Sequence, residues 1–299
     1  MPDRMTVAQV LSRFDREIGL DATVRGAAHA PAVGVPASAQ VAAARTLDAP
    51  SAERRPATGE PAPPSIAPRV AVPVPDRPRA ARHAFPPESL VAPGDREDRA
   101  RRLAELEARH AATCPHCTHA TGHTQLVFGE GAPDAEVLFI GEAPGETEDR
   151  AGRPFVGPAG EKLDEMIKAM GLRREDTYIA NVLKSRPPGN RTPMPEEADG
   201  CGPFLAEQLL AVRPKVIVSL GGPATHWACG FTTGISRLRG TWQTWKPPTG
   251  ADCPEIPVMP TYHPAYVLRT YTRQVRSEVW SDLRAVMARI RPGTQAPPT

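Results

Sequence analysis

Long apolar runs, strong net charge and aromatic residues are all scarce in this chain of 299 residues. No apolar stretch approaches the roughly 20 residues needed to cross a bilayer, so no membrane span is expected. The N-terminus shows no apolar core of the kind a secretory signal needs, so a cytoplasmic location is expected. A formal net charge of +2 is too small to imply nucleic-acid binding by itself; local distribution has to carry that case. Aromatics make up 5% of the residues, and Trp227, Trp242, Trp245 and Trp280 stand at no strand end, so they read as packing residues. With five cysteines in a reducing compartment, ligands or buried thiols are expected rather than disulfides. No internal repeat is visible.

Proline, by contrast, is abundant, with 36 residues concentrated early. From about Gly26 to Asp95 the chain is Ala, Pro, Val and Arg without sustained periodicity. Such a segment cannot bury enough apolar surface to offset its ordering entropy, and residues 26–95 read as a disordered linker. Before it, in residues 1–25, Val7, Val10, Leu11, Phe14 and Ile18 recur at helical spacing. A helix this short is marginal alone. It either docks back on the domain or serves as a tethered peptide for a replication or repair partner. The folded domain is expected over residues 96–292, with 293–299 a frayed tail.

Within that domain three apolar runs, Val137–Ile140, Tyr178–Val182 and Pro257–Tyr262, read as strands, and helical patterns separate them. Strands alternating with helices imply a parallel α/β sheet, in which the loops leaving the carboxyl ends line one crevice. Those loops are Gly141-Glu-Ala-Pro-Gly145, the segment Lys184–Pro193, and His263–Arg269. The final helix, about Thr272 to Arg291, directs Val275, Val279, Leu283, Val286 and Ile290 to the core.

The loop residues suit a nucleobase held against a nucleic-acid backbone. Asn181 offers one acceptor and two donors, which complement the N3–H and O4 edge of uracil and mismatch the reversed pattern of cytosine. Phe155 can stack on a base. Lys184, Arg186 and Arg191 form a cluster suited to phosphate, and Arg237, Arg239, Arg269, Arg273 and Arg276 add positive charge nearby.

Four motifs, Gly-Glu-Ala-Pro-Gly-Glu-Thr-Glu-Asp from Gly141, Gly-Arg-Pro-Phe-Val-Gly-Pro-Ala-Gly from Gly152, Asn-Val-x-Lys-x-Arg-Pro-Pro-x-Asn-Arg-x-Pro from Asn181 and His-Pro-Ala-Tyr-x-Leu-Arg from His263, occur in that order. Together they resemble the iron–sulfur uracil-DNA glycosylases, family 4 of the uracil glycosylase superfamily, over about Cys114 to Ile290. The resemblance implies a three-layer α/β/α sandwich around a four-stranded parallel sheet. It also implies a monomeric hydrolase that removes uracil from single- or double-stranded DNA. Glu142, Asn181 and His263 are then the catalytic candidates. Gly141, Ala143, Glu148, Phe155, Asn181 and His263 would line the base, and Lys184, Arg186, Arg191 and Arg269 would meet the DNA.

Cleaving the bond from deoxyribose to uracil builds positive charge on the sugar and negative charge on the departing base, so both need stabilising. His263 is the candidate donor to O2. Glu142 positions water or favours the sugar cation, while Glu148 either walls the C5 side of the base or is a solvated acid. Because the bond is inaccessible inside a duplex, the nucleotide must be flipped out or already single-stranded, and Tyr266, Val267 and Leu268 are a candidate wedge. Two other functions are a suicide-type binder of uracil-DNA and an accessory module of a replication complex. The first is marked in one branch of the superfamily by an Arg-Ile-His insertion, whereas this chain has Asn190-Arg-Thr-Pro193.

The cysteines depart from the resembled pattern. Cys114-Pro-His-Cys117 has metal-ligand spacing. In the family this pair joins two later cysteines around a [4Fe-4S] cluster; Cys201 matches one, and Ser185 stands at the other. Serine is a poor substitute for a thiolate toward iron. Three outcomes stay open: a cluster on Cys114, Cys117, Cys201 and a fourth ligand among Ser185, His116, His119, His123, Cys229 and Cys253; a zinc ion on the same cysteines with a nearby His; or packed thiols without metal.

Overall fold

The computed structural model describes residues 85–120, 122–230 and 232–291. The short N-terminal amphipathic segment and most of the proline-rich stretch lie outside the described residues. Six strands form one sheet: β1 (Glu130–Gly131), β2 (Val137–Gly141), β3 (Tyr178–Asn181), β4 (Val216–Leu220), β5 (Gln243–Trp245) and β6 (Ile256–Thr261), in the order β1-β3-β2-β4-β6-β5. The four central strands, β3-β2-β4-β6, are parallel, as expected. The two short edge strands pair antiparallel and were not anticipated. The fourth parallel strand, β4, lies in an apolar run that ends at Gly221-Gly222.

Because successive side chains of a strand point to opposite faces, each central strand feeds two cores. Val137, Phe139, Ile179, Val218 and Met259 pack on one side. There they meet α-helices Pro158–Ala169 and Arg273–Ile290, the latter through the expected Val275, Val279, Leu283, Val286 and Ile290. Leu138, Ile140, Ala180, Ile217 and Val258 pack on the other side, against the helix Pro195–Val212 through Leu205, Leu209 and Leu210. Trp245 and Trp280 are buried in these layers, and Trp227 and Trp242 pack against them, so all four tryptophans are packing residues.

Helix Arg96–Thr113 opens on Asp95, whose side chain accepts from the Asp98 amide. Its buried face is Leu103, Leu106 and His110. Residues 85–95, assigned above to the linker, pack on the domain instead. Phe85 and Leu90 contact the second core, and Arg102 donates to the carbonyls of Glu88 and Val91 at 3.0 Å each. Its two apolar anchors and its carbonyl bonds to Arg102 make no repeating pattern, so the sequence there shows neither alternation nor helical spacing. Among the described residues no helix is long and apolar enough to cross a membrane.

Candidate functional site

The carboxyl ends of β2, β3 and β6 bring the three loops together. Past the strand ends the first two stay joined: the Val182 amide donates to the Gly141 carbonyl at 3.0 Å and the Leu183 amide to the Glu142 carbonyl at 3.1 Å. Strand register sets Asn181 beside Gly141. A Cβ on Gly141 would stand 2.2 Å from Asn181 Oδ1 and 2.5 Å from Phe155 Cζ, so only glycine lets this backbone approach both groups.

Asn181 is 1% exposed and its Oδ1 has no hydrogen-bond partner. A buried acceptor left in that state costs about 1–3 kcal/mol, an arrangement that persists where a ligand fills it. Phe155 holds a left-handed backbone (φ 50°), rare for a bulky residue and typical of functional sites. Two contacts fix it. Gly160 passes so close that a Cβ there would lie 2.0 Å from the Phe155 carbonyl oxygen, and Glu148 Oε1 accepts from the Val156 and Gly157 amides at 2.9 and 2.8 Å. Glu148 is therefore no solvated acid: its carboxylate anchors the turn that carries the aromatic ring.

His263 follows β6 and caps the helix Pro264–Arg269. Its Nδ1 accepts from the Ala265 amide at 3.1 Å. With Nδ1 accepting, the proton of the neutral ring sits on Nε2, which makes that atom a donor. Burial, helped by the charge of Arg269, pushes its pKa down to about 4. The ring centroids of Phe155 and His263 are 5.7 Å apart. Glu142 is half-buried beside Thr192, and burial raises its pKa. Ala143 packs against the apolar cluster around Cys114 and Phe204, so this loop offers a methyl group there and no carboxylate.

The basic residues divide. Lys184 is 0% exposed and cannot touch DNA. Its ammonium donates to the Asn181 carbonyl at 2.8 Å and to Gln208, and it lies over the Phe128 ring. Burial brings its pKa down to about 8. The expectation of a phosphate contact fails because the residue after a strand's last apolar pair turned inward, where two carbonyl-type oxygens accept the charge. Arg186 bonds Asn190 at 2.6 Å, and Arg191 forms a bidentate pair with Glu197 at 2.7 Å; both stay at the surface. Arg269 is exposed at the end of its helix, next to the exposed Tyr266 and Leu268. Arg239 is committed to the buried Asp282.

The cysteines form a second centre. One ligand atom from each of Cys114, Cys117, Cys201 and His110 lies within 4.8 Å of the others, and all four residues are buried. Cys117 Sγ is 3.5 Å from Cys201 Sγ, and Cys201 Sγ is 3.7 Å from His110 Nε2. Ser185 Oγ lies 3.4 Å from Cys117 Sγ and 3.2 Å from His116 Nε2. Of the other fourth-ligand candidates, His119 bonds Thr118 and the Pro115 carbonyl, and Cys229 and Cys253 pack against the far core. His110 was missed. Its signal was legible, since Leu103, Leu106 and His110 recur at helical spacing and end four residues before Cys114. Hydrogen bonds from Cys117 and Cys201 pull the Cys114 thiol toward thiolate, while Cys117 and Cys201 are pushed up.

The model of the uracil DNA glycosylase superfamily matches residues 128–284. The chain belongs to that superfamily, in its type-4 branch. A type-4 uracil-DNA glycosylase of Thermotoga maritima is 42% identical over 182 residues, covering 60% of this chain and 91% of the relative. One of Archaeoglobus fulgidus is 45% identical over 186 residues, covering 60% and 88%. The family match spans the described sheet from just before β1 through β6. Three buried thiols and an imidazole at the cysteine centre can hold a metal.

Proposed function

We propose that this type-4 glycosylase hydrolyses the N-glycosidic bond of deoxyuridine in DNA, releasing uracil and leaving an abasic site. The observation that carries the reading is the buried, unpartnered Oδ1 of Asn181 beside Phe155 and Gly141. Oδ1 accepts from uracil N3–H while the amide nitrogen donates to O4. Cytosine reverses both atoms and would leave them opposed, which is how a polar site rejects a near-isostere. Phe155 stacks on the base.

Catalysis follows from charge. As the bond lengthens, negative charge collects on the base, and a neutral His263 donates from Nε2 to O2 without losing its proton. Its pKa of about 4 keeps the ring neutral at physiological pH, so the donor needs no protonation step. Glu142, raised by burial, sits where its carboxylate or its loop backbone can orient water and favour the sugar cation. Glu148 acts through the Phe155 turn and is a positioning residue; with it, Gly141 and Ala143 complete the wall of the base site. Arg186, Arg191 and Arg269 take the phosphates, and the exposed Tyr266 and Leu268 enter the gap left by the flipped nucleotide, whereas Val267, expected beside them in the wedge, is packed in the core and cannot reach it.

Cys114, Cys117 and Cys201 would hold a metal in a structural part, pinning the Cys114–Cys117 turn and the 185–201 segment to the domain edge, and bond cleavage requires no redox step. A [4Fe-4S] cluster is the occupant that family resemblance implies, with Cys114, Cys117 and Cys201 to hold it. We place the protein in the cytoplasm as a monomer whose partner is uracil-containing DNA, with the N-terminal segment as a candidate tether to repair or replication proteins.

The test is release of uracil from a labelled single-stranded oligonucleotide by the full chain and by Asn181→Ala. Multiple turnovers that the variant loses support the reading. Tight or covalent binding without release of uracil would make the protein a suicide-type binder, and no interaction with uracil-DNA would remove the base site altogether.

A further inference from the structure

The second centre has the wrong number of thiolates for its family and an imidazole in reach. A four-iron cluster sets each donor on its own iron, so its four protein ligands must stand well apart. Around one tetrahedral zinc ion, with bonds of about 2.3 Å to sulfur and about 2.0–2.1 Å to nitrogen, donors stand roughly 3.5–3.8 Å from one another. Cys117 Sγ and His110 Nε2 stand 3.5 Å and 3.7 Å from Cys201 Sγ, and all four ligand atoms fall within 4.8 Å. We propose that the site is a Cys3His centre for a single zinc ion, ligated by Cys114, Cys117, Cys201 and His110, with Ser185 outside the ligand set.

The surroundings fit bound thiolates. Two sulfurs accept from backbone donors, Cys114 Sγ from the Cys117 amide at 3.5 Å and Cys201 Sγ from the Lys184 amide at 3.2 Å, and the Cys117 thiol donates to Ser185 Oγ at 3.4 Å, a hydroxyl that can turn its own proton to the sulfur once a metal displaces the thiol proton. Such outer partners orient metal ligands. Ser185 thus replaces a ligand by a donor to a ligand. His110 is 1% exposed, its Nδ1 has no partner, and Phe128 and Phe204 set the ring plane. Burying an imidazole on so few polar contacts is costly, and a metal bond from Nε2 offsets that cost. Formal charge also closes: three thiolates and a divalent ion leave one negative charge, which the buried ammonium of Lys184 balances.

This inference stands apart from uracil excision, so metal analysis tests it without an activity assay. The full-length protein is purified anaerobically from cells supplied with both iron and zinc, then assayed for metals, acid-labile sulfide and visible absorption. About one zinc per chain with no sulfide and no brown chromophore is expected, and cobalt exchanged into the site should give the intense visible bands of tetrahedral thiolate ligation. His110→Ala should weaken zinc binding by at least about tenfold in a chelator competition, whereas Ser185→Ala should weaken it less. Iron and sulfide in cluster proportion in the native protein would overturn the proposal. So would a metal-free protein whose thermal unfolding ignores zinc and chelator, or a His110→Ala variant with undiminished zinc affinity.

Discussion

The base site and the cysteine centre are neighbours joined by Lys184, yet they tolerate change differently. At the proposed base site the four motifs are intact, and each proposed role would act through an atom in a fixed place: Oδ1 of Asn181, the ring of Phe155, Nε2 of His263. At the cysteine centre one thiolate is missing and a histidine from another helix reaches the same point. A ligand that must be read atom by atom leaves no second way to place an acceptor. A structural metal accepts any suitable donor that arrives at bonding distance, so substitution there can be absorbed. Lys184 belongs to both, with its amide on Cys201 and its ammonium on the Asn181 carbonyl.

The contrast is broken most sharply from the base site. Asn181→Ala should lower single-turnover uracil release by about 10²–10³-fold, the usual cost of losing one positioned polar group at a reacting centre, while thermal unfolding changes little. Equal loss of stability and rate would show that Asn181 is only a core residue. Gly141→Ala should cost about 10²-fold in the same assay, because its methyl group would enter the space between Asn181 and Phe155. Near-normal release by that variant would place the base elsewhere.

The junction sharpens the comparison. Lys184→Met removes the donor to two buried oxygens and should destabilise by about 1–3 kcal/mol, read from denaturant unfolding. It should also slow uracil release with unchanged DNA affinity, since Lys184 is buried; a mainly DNA-binding defect would restore the phosphate role. At the cysteine centre, Ser185→Cys supplies the family's fourth thiolate. Anaerobic reconstitution with iron and sulfide should then give a chromophore that the native chain does not form, with excision rates within about twofold of native. A native chain that forms the same chromophore would dissolve the contrast between the two regions.

The smallest effect is an absence. An ordinary histidine would give a step in the rate near pH 6.5, but the lowered pKa of His263 should leave no step there, with uracil release changing little from about pH 5.5 to about pH 7, below the range in which Lys184 loses its proton. The sign for stability follows. Below about pH 6.5 the unfolded chain binds a proton that the folded ring refuses, so stability falls as the pH drops toward about 4 and the His263 contribution changes no further below it. A rate step near pH 6.5 that His263→Gln abolishes would show the ring to be ordinary.

Much of the molecule was legible in one dimension. Runs such as Val137–Ile140 announce buried strands because every residue is apolar on both faces. Val275 to Ile290 announces a helix because its period matches the backbone. The loops that follow β2, β3 and β6 carry chemistry that local composition already displays, and sheet topology obliges them to meet. What local pattern does not encode is direction in irregular backbone and contact over long separations. Lys184 reads as a surface cation until the fold turns it between Asn181 and Gln208. Glu148 reads equally as a wall to the base or a solvated acid until the chain returns at Val156 and Gly157. His110 ends an apolar helix face in sequence, but only the packing of that helix against Pro195–Val212 carries its ring to Cys201, 91 residues away. Periodicity fixes which side of an element is buried; the partner that side meets is set by how the layers close, and there the identity of the fourth donor was decided.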